Sequence, residues 1–156
     1  MKKLALLFAG LSLFVATGCN DDKETPMEYP ITGVWQPVKE VVTVVPAGGS
    51  GVSDEITYST CQKNSRWRFN TETVGKRTDQ GDTATPGVCE VKADRNFTYT
   101  YDKSSKAIQI KYQGTVMADK GKVTTLNETT LNLTIENTTD PTKYQSVTYT
   151  LKRIPQ

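Results

Sequence analysis

Histidine is absent from all 156 residues. That excludes His-containing catalytic triads, His-ligated zinc or haem, and an imidazole pH switch. Cysteine is scarce at 3 residues and aromatics make up only 8%. Neither sign of charge is in large excess. With residues 1–18 set aside, which hold Lys2 and Lys3 and no acid, Lys+Arg falls from 19 to 17 and equals the 17 Asp+Glu. A nucleic-acid partner is not expected, because such binders concentrate Lys and Arg to displace counterions from phosphates. The length suits one domain plus a targeting or anchoring segment. Long apolar runs are missing except at the very start.

There, Met1-Lys2-Lys3 is followed by an apolar run from Leu4 to Val15, interrupted only by Gly10 and Ser12, and then by small residues before Cys19. The run is shorter than the roughly 20 residues that cross a bilayer as a helix, so residues 1–18 read as a secretory signal. Val15-Ala16-Thr17-Gly18-Cys19 resembles the lipobox of bacterial lipoproteins, with Ala16 where that family prefers Leu. The resemblance implies a diacylglyceryl thioether on Cys19 and cleavage just before it. Acyl chains contributing roughly 0.8 kcal/mol per buried methylene would hold the protein on a membrane without a spanning helix. Residues 19–29 are polar and acidic and read as a flexible tether. The acidic cluster Asp21-Asp22 with Glu24 also resembles the export signal of surface lipoproteins in Bacteroidetes-type bacteria, and a plain spacer is the alternative. The expected location is the outer membrane, on its periplasmic face or at the cell surface.

From Tyr29 onward the apolar residues recur with a period of two. Phe97, Tyr99 and Tyr101 alternate with threonines; Ile108, Ile110 and Tyr112 alternate with Gln109 and Lys111; Leu131, Leu133 and Ile135, and Val147, Tyr149 and Leu151, do the same. Each run has one oily face, as half-buried strands do. Trp67 and Phe69 extend the pattern, and Val34 to Val45 reads as a longer strand in which Pro37 marks a bulge or an edge. Val123 and Leu126 fall on opposite faces of a regular strand, so only a bulge lets both point inward. Turns are expected at Asp102 to Ser105, Asp119 to Gly121, Asn127-Glu128 and Asn137 to Pro141. The fold class is therefore all-β, an antiparallel up-and-down meander of about seven or eight strands over residues 30–156. Such a sheet must close into a barrel or pack as a sandwich. Pro46 to Thr60 and Val74 to Asp94 read as long non-strand segments.

In an oxidising compartment Cys61 and Cys89 are expected to pair as a disulfide tying the entrances of two neighbouring strands, with free buried thiols as the alternative. Two thiols without His or a second Cys pair do not complete a metal shell. No metal and no cofactor is expected.

Gly33-Val34-Trp35 at the first strand resembles the G-x-W of lipocalins. Together with the cysteine placement, the Trp67-Arg68-Phe69 strand and the closing Tyr149 to Arg153 strand, it is similar to the lipocalin-like domain of Bacteroidetes lipoproteins. The resemblance implies that Trp35 plugs one end of a barrel and that Arg153 is the basic residue set across it. Trp67, Phe69, Tyr99, Ile110 and Leu133 then line a ligand cavity or form a filled core, and their bulk favours the core.

Other motifs carry less. Asp79-Gln80-Gly81-Asp82 lacks the spacing of a calcium loop and reads as a solvated turn. Asp54-Glu55 points to opposite faces of a strand. Asn96, Asn127, Asn132 and Asn137 fit glycosylation patterns that Asn- and Thr-rich chains produce by chance, and Asp82-Thr83-Ala84 resembles the O-glycosylation motif of Bacteroidetes-type exported proteins. The expected function is a membrane-anchored, non-enzymatic, monomeric lipocalin-like lipoprotein that binds a small lipophilic ligand or serves as an envelope accessory. The alternative is a surface interaction module, an inhibitor or adhesin, acting on another surface protein through the two long segments. An enzyme built on carboxylates or Tyr is the remaining class.

Overall fold

The computed structural model describes residues 28–155; the signal over 1–18, Cys19 and most of the 19–29 tether lie outside the described residues. Nine strands form one antiparallel sheet: β1 (Gly33–Pro46), β2 (Val52–Thr57), β3 (Arg66–Phe69), β4 (Val74–Asp82), β5 (Cys89–Tyr101), β6 (Ala107–Tyr112), β7 (Asp119–Leu126), β8 (Thr130–Asn137) and β9 (Lys143–Ile154). A single 3-10 turn, Gln62–Asn64, interrupts them.

From β3 to β9 each strand pairs with the next, and β9 returns to β1. The result is a closed barrel of eight strands, not a sandwich. β1 gives one whole edge to β9, from Val34 opposite Ile154 to Pro46 opposite Lys143. It divides the other edge, giving Gly33 to Trp35 to β3 and Lys39 to Val44 to β2. That division makes β2 the ninth strand, a flank on the upper half of β1. Closure satisfies edge groups that an open sheet would leave free.

Alternation places the core. Phe97 and Tyr99 on β5, Ile108, Ile110 and Tyr112 on β6, Leu131 and Leu133 on β8 and Leu151 on β9 are buried, and polar residues between them face water. At Pro37, which has no N–H to donate, the ladder to β9 shifts register between Pro37 and Lys39. A second shift between Val123 and Thr125 buries Val123 and brings Leu126 against the core, so the two opposed apolar residues of β7 share one side.

Four expectations fail for one reason: polar strands do not announce themselves by apolar alternation. Pro46 to Thr60 contains β2, whose residues are exposed throughout. Val74 to Asp94 contains β4 and the start of β5; backbone pairing to β3 and β5 holds β4 in place. Asp79 to Asp82 belongs to β4 and is not a turn. Asp119 to Gly121 opens β7, and the turn lies earlier, where Val116 and Met117 stand exposed. Gly121 is there for close approach: a Cβ would collide with the carbonyl oxygen of Thr134 on β8.

The chain thus has two ends. Turns 70–73, 102–106 and 127–129 gather with the strand start at Ile31 to Gly33 and the exit at Arg153; connections 47–51, 83–88 and 138–142 gather at the other. Gly121→Ala should cost about 2 to 4 kcal/mol, since backbone and not a flexible side chain would have to move. Urea unfolding measures it, and a change within about 0.5 kcal/mol would contradict the close approach.

Candidate functional site

One end of the barrel is sealed. Trp35 is fully buried and donates its indole N–H to the carbonyl of Ile31 at 2.8 Å. The Arg153 guanidinium lies 4.1 Å over its ring and donates to three carbonyls: Glu128 at 2.9 Å, Thr32 at 2.8 Å and Pro30 at 2.7 Å. A planar fork with five donors can span these carbonyls while its face lies on the ring, which a compact ammonium does not match. Gly33, at φ 132°, leaves room for it, because a Cβ there would stand 2.6 Å from Arg153 Nη1. The structure therefore brings Gly33, Trp35 and Arg153 together.

Above that plug the interior is filled. Trp67, Phe69, Tyr99, Ile110 and Leu133 are each at most 3% exposed, which makes them core side chains. Phe69 meets Phe97 and Tyr99 edge-on, with centroids 5.3 and 4.9 Å apart, and Tyr112 meets Phe97 at 5.8 Å. These are the offset geometries that aromatic quadrupoles favour. A deep apolar calyx does not remain.

At the open end the inward-facing residues become polar. Arg77 on β4 pairs across the ladder with Trp67 on β3 and Arg95 on β5, and cross-strand partners share a face. Its guanidinium sits 4.4 Å from the Trp67 ring centroid and 5.4 Å from that of Tyr149, donates to Asp79 at 2.7 Å and reaches the Tyr112 hydroxyl at 3.4 Å. Burial opposes the charge on Arg77, but Tyr112, Asp79 and Tyr149 outweigh it, so the group titrates above its ordinary value. Arg95 lies 4.3 Å over Tyr112 and 3.5 Å from the second oxygen of Asp79. On β1, Glu40 accepts from the Tyr58 hydroxyl at 2.5 Å. Burial and that carboxylate together push the Tyr58 phenol far up, and burial raises Tyr112 as well.

These residues surround a cavity of about 230 Å3 lined by Pro37, Glu40, Tyr58, Gln62, Trp67 and Arg77, with Asp79 and the Ser65–Gln80 link at its side. The segment between β2 and β3 roofs it. Ser65 Oγ accepts from the Gln80 amide at 2.8 Å, Ser59 donates to Asp82 at 2.6 Å, and Cys61 is disulfide-bonded to Cys89 with Cα atoms 5.2 Å apart. The bridge does not join neighbouring strands as expected: it spans β4, linking the roof to the first residue of β5. Thr83 lies in the nearby β4–β5 turn, where its hydroxyl donates to the Thr85 carbonyl at 3.1 Å.

Larger hollows lie elsewhere on the molecule. A groove of about 580 Å3 runs along the outer face of β4 to β6, and one of about 450 Å3 flanks Arg153 and Ile154 at the sealed end. Neither gathers opposed charges as the mouth does. Sequence reasoning missed Arg77, Arg95, Glu40 and Tyr58 as site residues and placed Asp79 in a solvated turn. The available signal was the Trp67-x-Phe69 run, whose register carries Arg77 inward once β4 is recognised as a strand.

A closed, up-and-down antiparallel barrel with an Arg-backed tryptophan plug at one end and a charged cavity at the other defines a calyx-type barrel protein. The chain belongs to the lipocalin-like domain family, whose sequence profile matches residues 31–133. Among solved structures, it is similar to lobster apocrustacyanin A1 (12% identity, TM-score 0.49, covering 86% of this chain and 66% of that one). It is also similar to H1 crustacyanin from the lobster Homarus americanus (14%, 0.46, 83% and 63%) and to a deswapped triple mutant of bovine odorant binding protein (13%, 0.41, 80% and 74%). The chain thus spans about two thirds of the crustacyanin chains. No curated protein matches it in sequence.

Burial pushes the Tyr99 phenol up to about 12. A proton held more tightly by the folded than by the unfolded chain stabilises the fold fully below the unfolded value, near 10, and that contribution is lost as pH rises toward 12. Thermal unfolding followed from pH 9.5 to 12, by about half-unit steps, should show a steeper loss for the native chain than for Tyr99→Phe. Parallel curves would contradict this.

Proposed function

We propose that this protein is a lipid-anchored, non-enzymatic binding protein of the cell envelope that holds a small ligand at the mouth of its barrel. Family membership supports a binding role. The observation that carries the reading is the charged cavity beside Trp67 at the open end of an otherwise filled barrel. At about 230 Å3 it is smaller than the roughly 300 to 1,000 Å3 of ordinary small-molecule sites, which argues against carriage of a lipophilic molecule; the charges that line it suit a compact polar ligand. The lipobox-like Val15 to Cys19 and the acidic residues after it support anchoring at the outer membrane. The two segments on which the interaction-module alternative relied are not loops but contain paired strand, β2 and β4.

Two experiments test the reading on the full chain purified in detergent. Thermal shift against a panel of compact polar metabolites and long-chain fatty acids should show stabilisation by the former, about 2.7 kcal/mol at a hundredfold excess over Kd. Gln62→Trp, which fills the cavity from its roof, should abolish it. Stabilisation by fatty acids that survives Gln62→Trp would overturn the mouth site. For the anchor, palmitate labelling in a bacterial host should be present in the native chain and absent in Cys19→Ser; equal labelling would refute lipidation at that residue.

A further inference from the structure

The charges around the mouth cavity do not cancel locally. Arg77 and Arg95 stand directly opposite one another across the β4–β5 ladder, an arrangement that like charges disfavour. One carboxylate, Asp79, serves both, at 2.7 and 3.5 Å. That wall therefore keeps an excess of one positive charge. Of the five guanidinium N–H groups of Arg77, one goes to Asp79 and one to Tyr112. Among the described residues the others have no acceptor. Glu40 lines the same cavity from β1, where it pairs with Tyr149 on β9. Among the described residues its only side-chain partner is the neutral Tyr58 hydroxyl, and no ion pair includes it. The adjacent Lys39 is bound to Glu55, at 2.8 Å.

A half-buried cation with unused donors and a half-buried anion with unused acceptor capacity therefore line the same cavity. Desolvating either without an opposite charge is costly. The ligand that relieves both carries an anionic and a cationic group on one small frame. The cavity, about 230 Å3, has room for a single small zwitterion.

We propose that the mouth cavity binds a free α-amino acid, its carboxylate on the Arg77 fork and its ammonium on Glu40. This rests on the mouth-binding reading above and names its ligand class. A simple anion would meet Glu40 and a simple cation would meet Arg77, so each is rejected by the charge that the zwitterion satisfies.

The test uses the full chain in detergent and follows tryptophan fluorescence, since Arg77 rests on the Trp67 ring. The probes are an equimolar mixture of the uncharged-side-chain L-amino acids, the matching carboxylic acids without the amine, and the matching amines without the carboxylate. A saturable change is expected with the amino acids alone. Glu40→Gln, which keeps an acceptor for Tyr58, and Arg77→Lys, which keeps the cation without its fork, should each weaken it at least about tenfold. Equal response to the carboxylic acids, undiminished in Glu40→Gln, would overturn the zwitterion and leave an anion site at the mouth. Response to none of these probes, with other metabolites still shifting the melting temperature, would overturn the amino-acid assignment alone. Response to nothing in either experiment would overturn both.

Discussion

The first and last strands of the barrel are each other's partners. β1 and β9 pair from Val34 and Ile154 to Pro46 and Lys143, and everything else depends on that closure. Without it the meander would be a curled sheet with two free edges and an apolar concave side open to water. With it the chain termini of the domain meet, and Arg153 comes to lie against Trp35 across a separation of more than a hundred residues. The contact order is correspondingly high, so folding has to bear a large loop-closure cost before the last ladder repays it. The register shift at Pro37 is part of this: a residue that cannot donate is placed where the ladder slips.

Closure divides the interior by chemistry. Near the plug, aromatic rings and aliphatic side chains fill the lumen, and burial of apolar surface there supplies the main stabilisation. Toward the mouth, β4 contributes Arg77 and Asp79 instead of another oily pair. A guanidinium stacked on Trp67 is tolerated there because the indole face and Asp79 replace part of its hydration. The same stack that lets Arg77 be buried makes Trp67 both the uppermost layer of the core and the floor of the cavity. The disulfide acts on this region and not on the core, since it pins the roof segment to β5 over a strand whose one large apolar residue, Val74, is exposed.

Legibility followed hydrophobicity. β5, β6, β8 and β9 were evident from alternation, and β1 from its length and its proline, because each puts bulky side chains on one face. The weakness of β7 was evident too, along with the bulge needed to turn Val123 and Leu126 to the same side. β2 and β4 were invisible: β4 carries charge or glycine at its inward positions, β2 is exposed throughout, and what holds them is backbone pairing, which leaves no mark on composition. The candidate site was hidden for the same reason, since Arg77 and Asp79 looked like ordinary surface residues of a loop. Gly121 misled in the opposite sense, reading as a turn when its missing side chain serves the close passage of β8.

By itself, then, the amino-acid order determined the all-β class, the positions of the oily strands and the two cysteines able to pair, because periodicity and residue chemistry are local properties; the tryptophan and arginine of the plug came from the resemblance to lipocalins. Only the tertiary structure decided that the barrel closes through β1 and β9, that its interior is full, that the disulfide spans a strand, and that Arg77 and Glu40 face one cavity. Those are matters of register and shear between strands distant in the chain, and a one-residue slip in any ladder would turn the same side chains out to water.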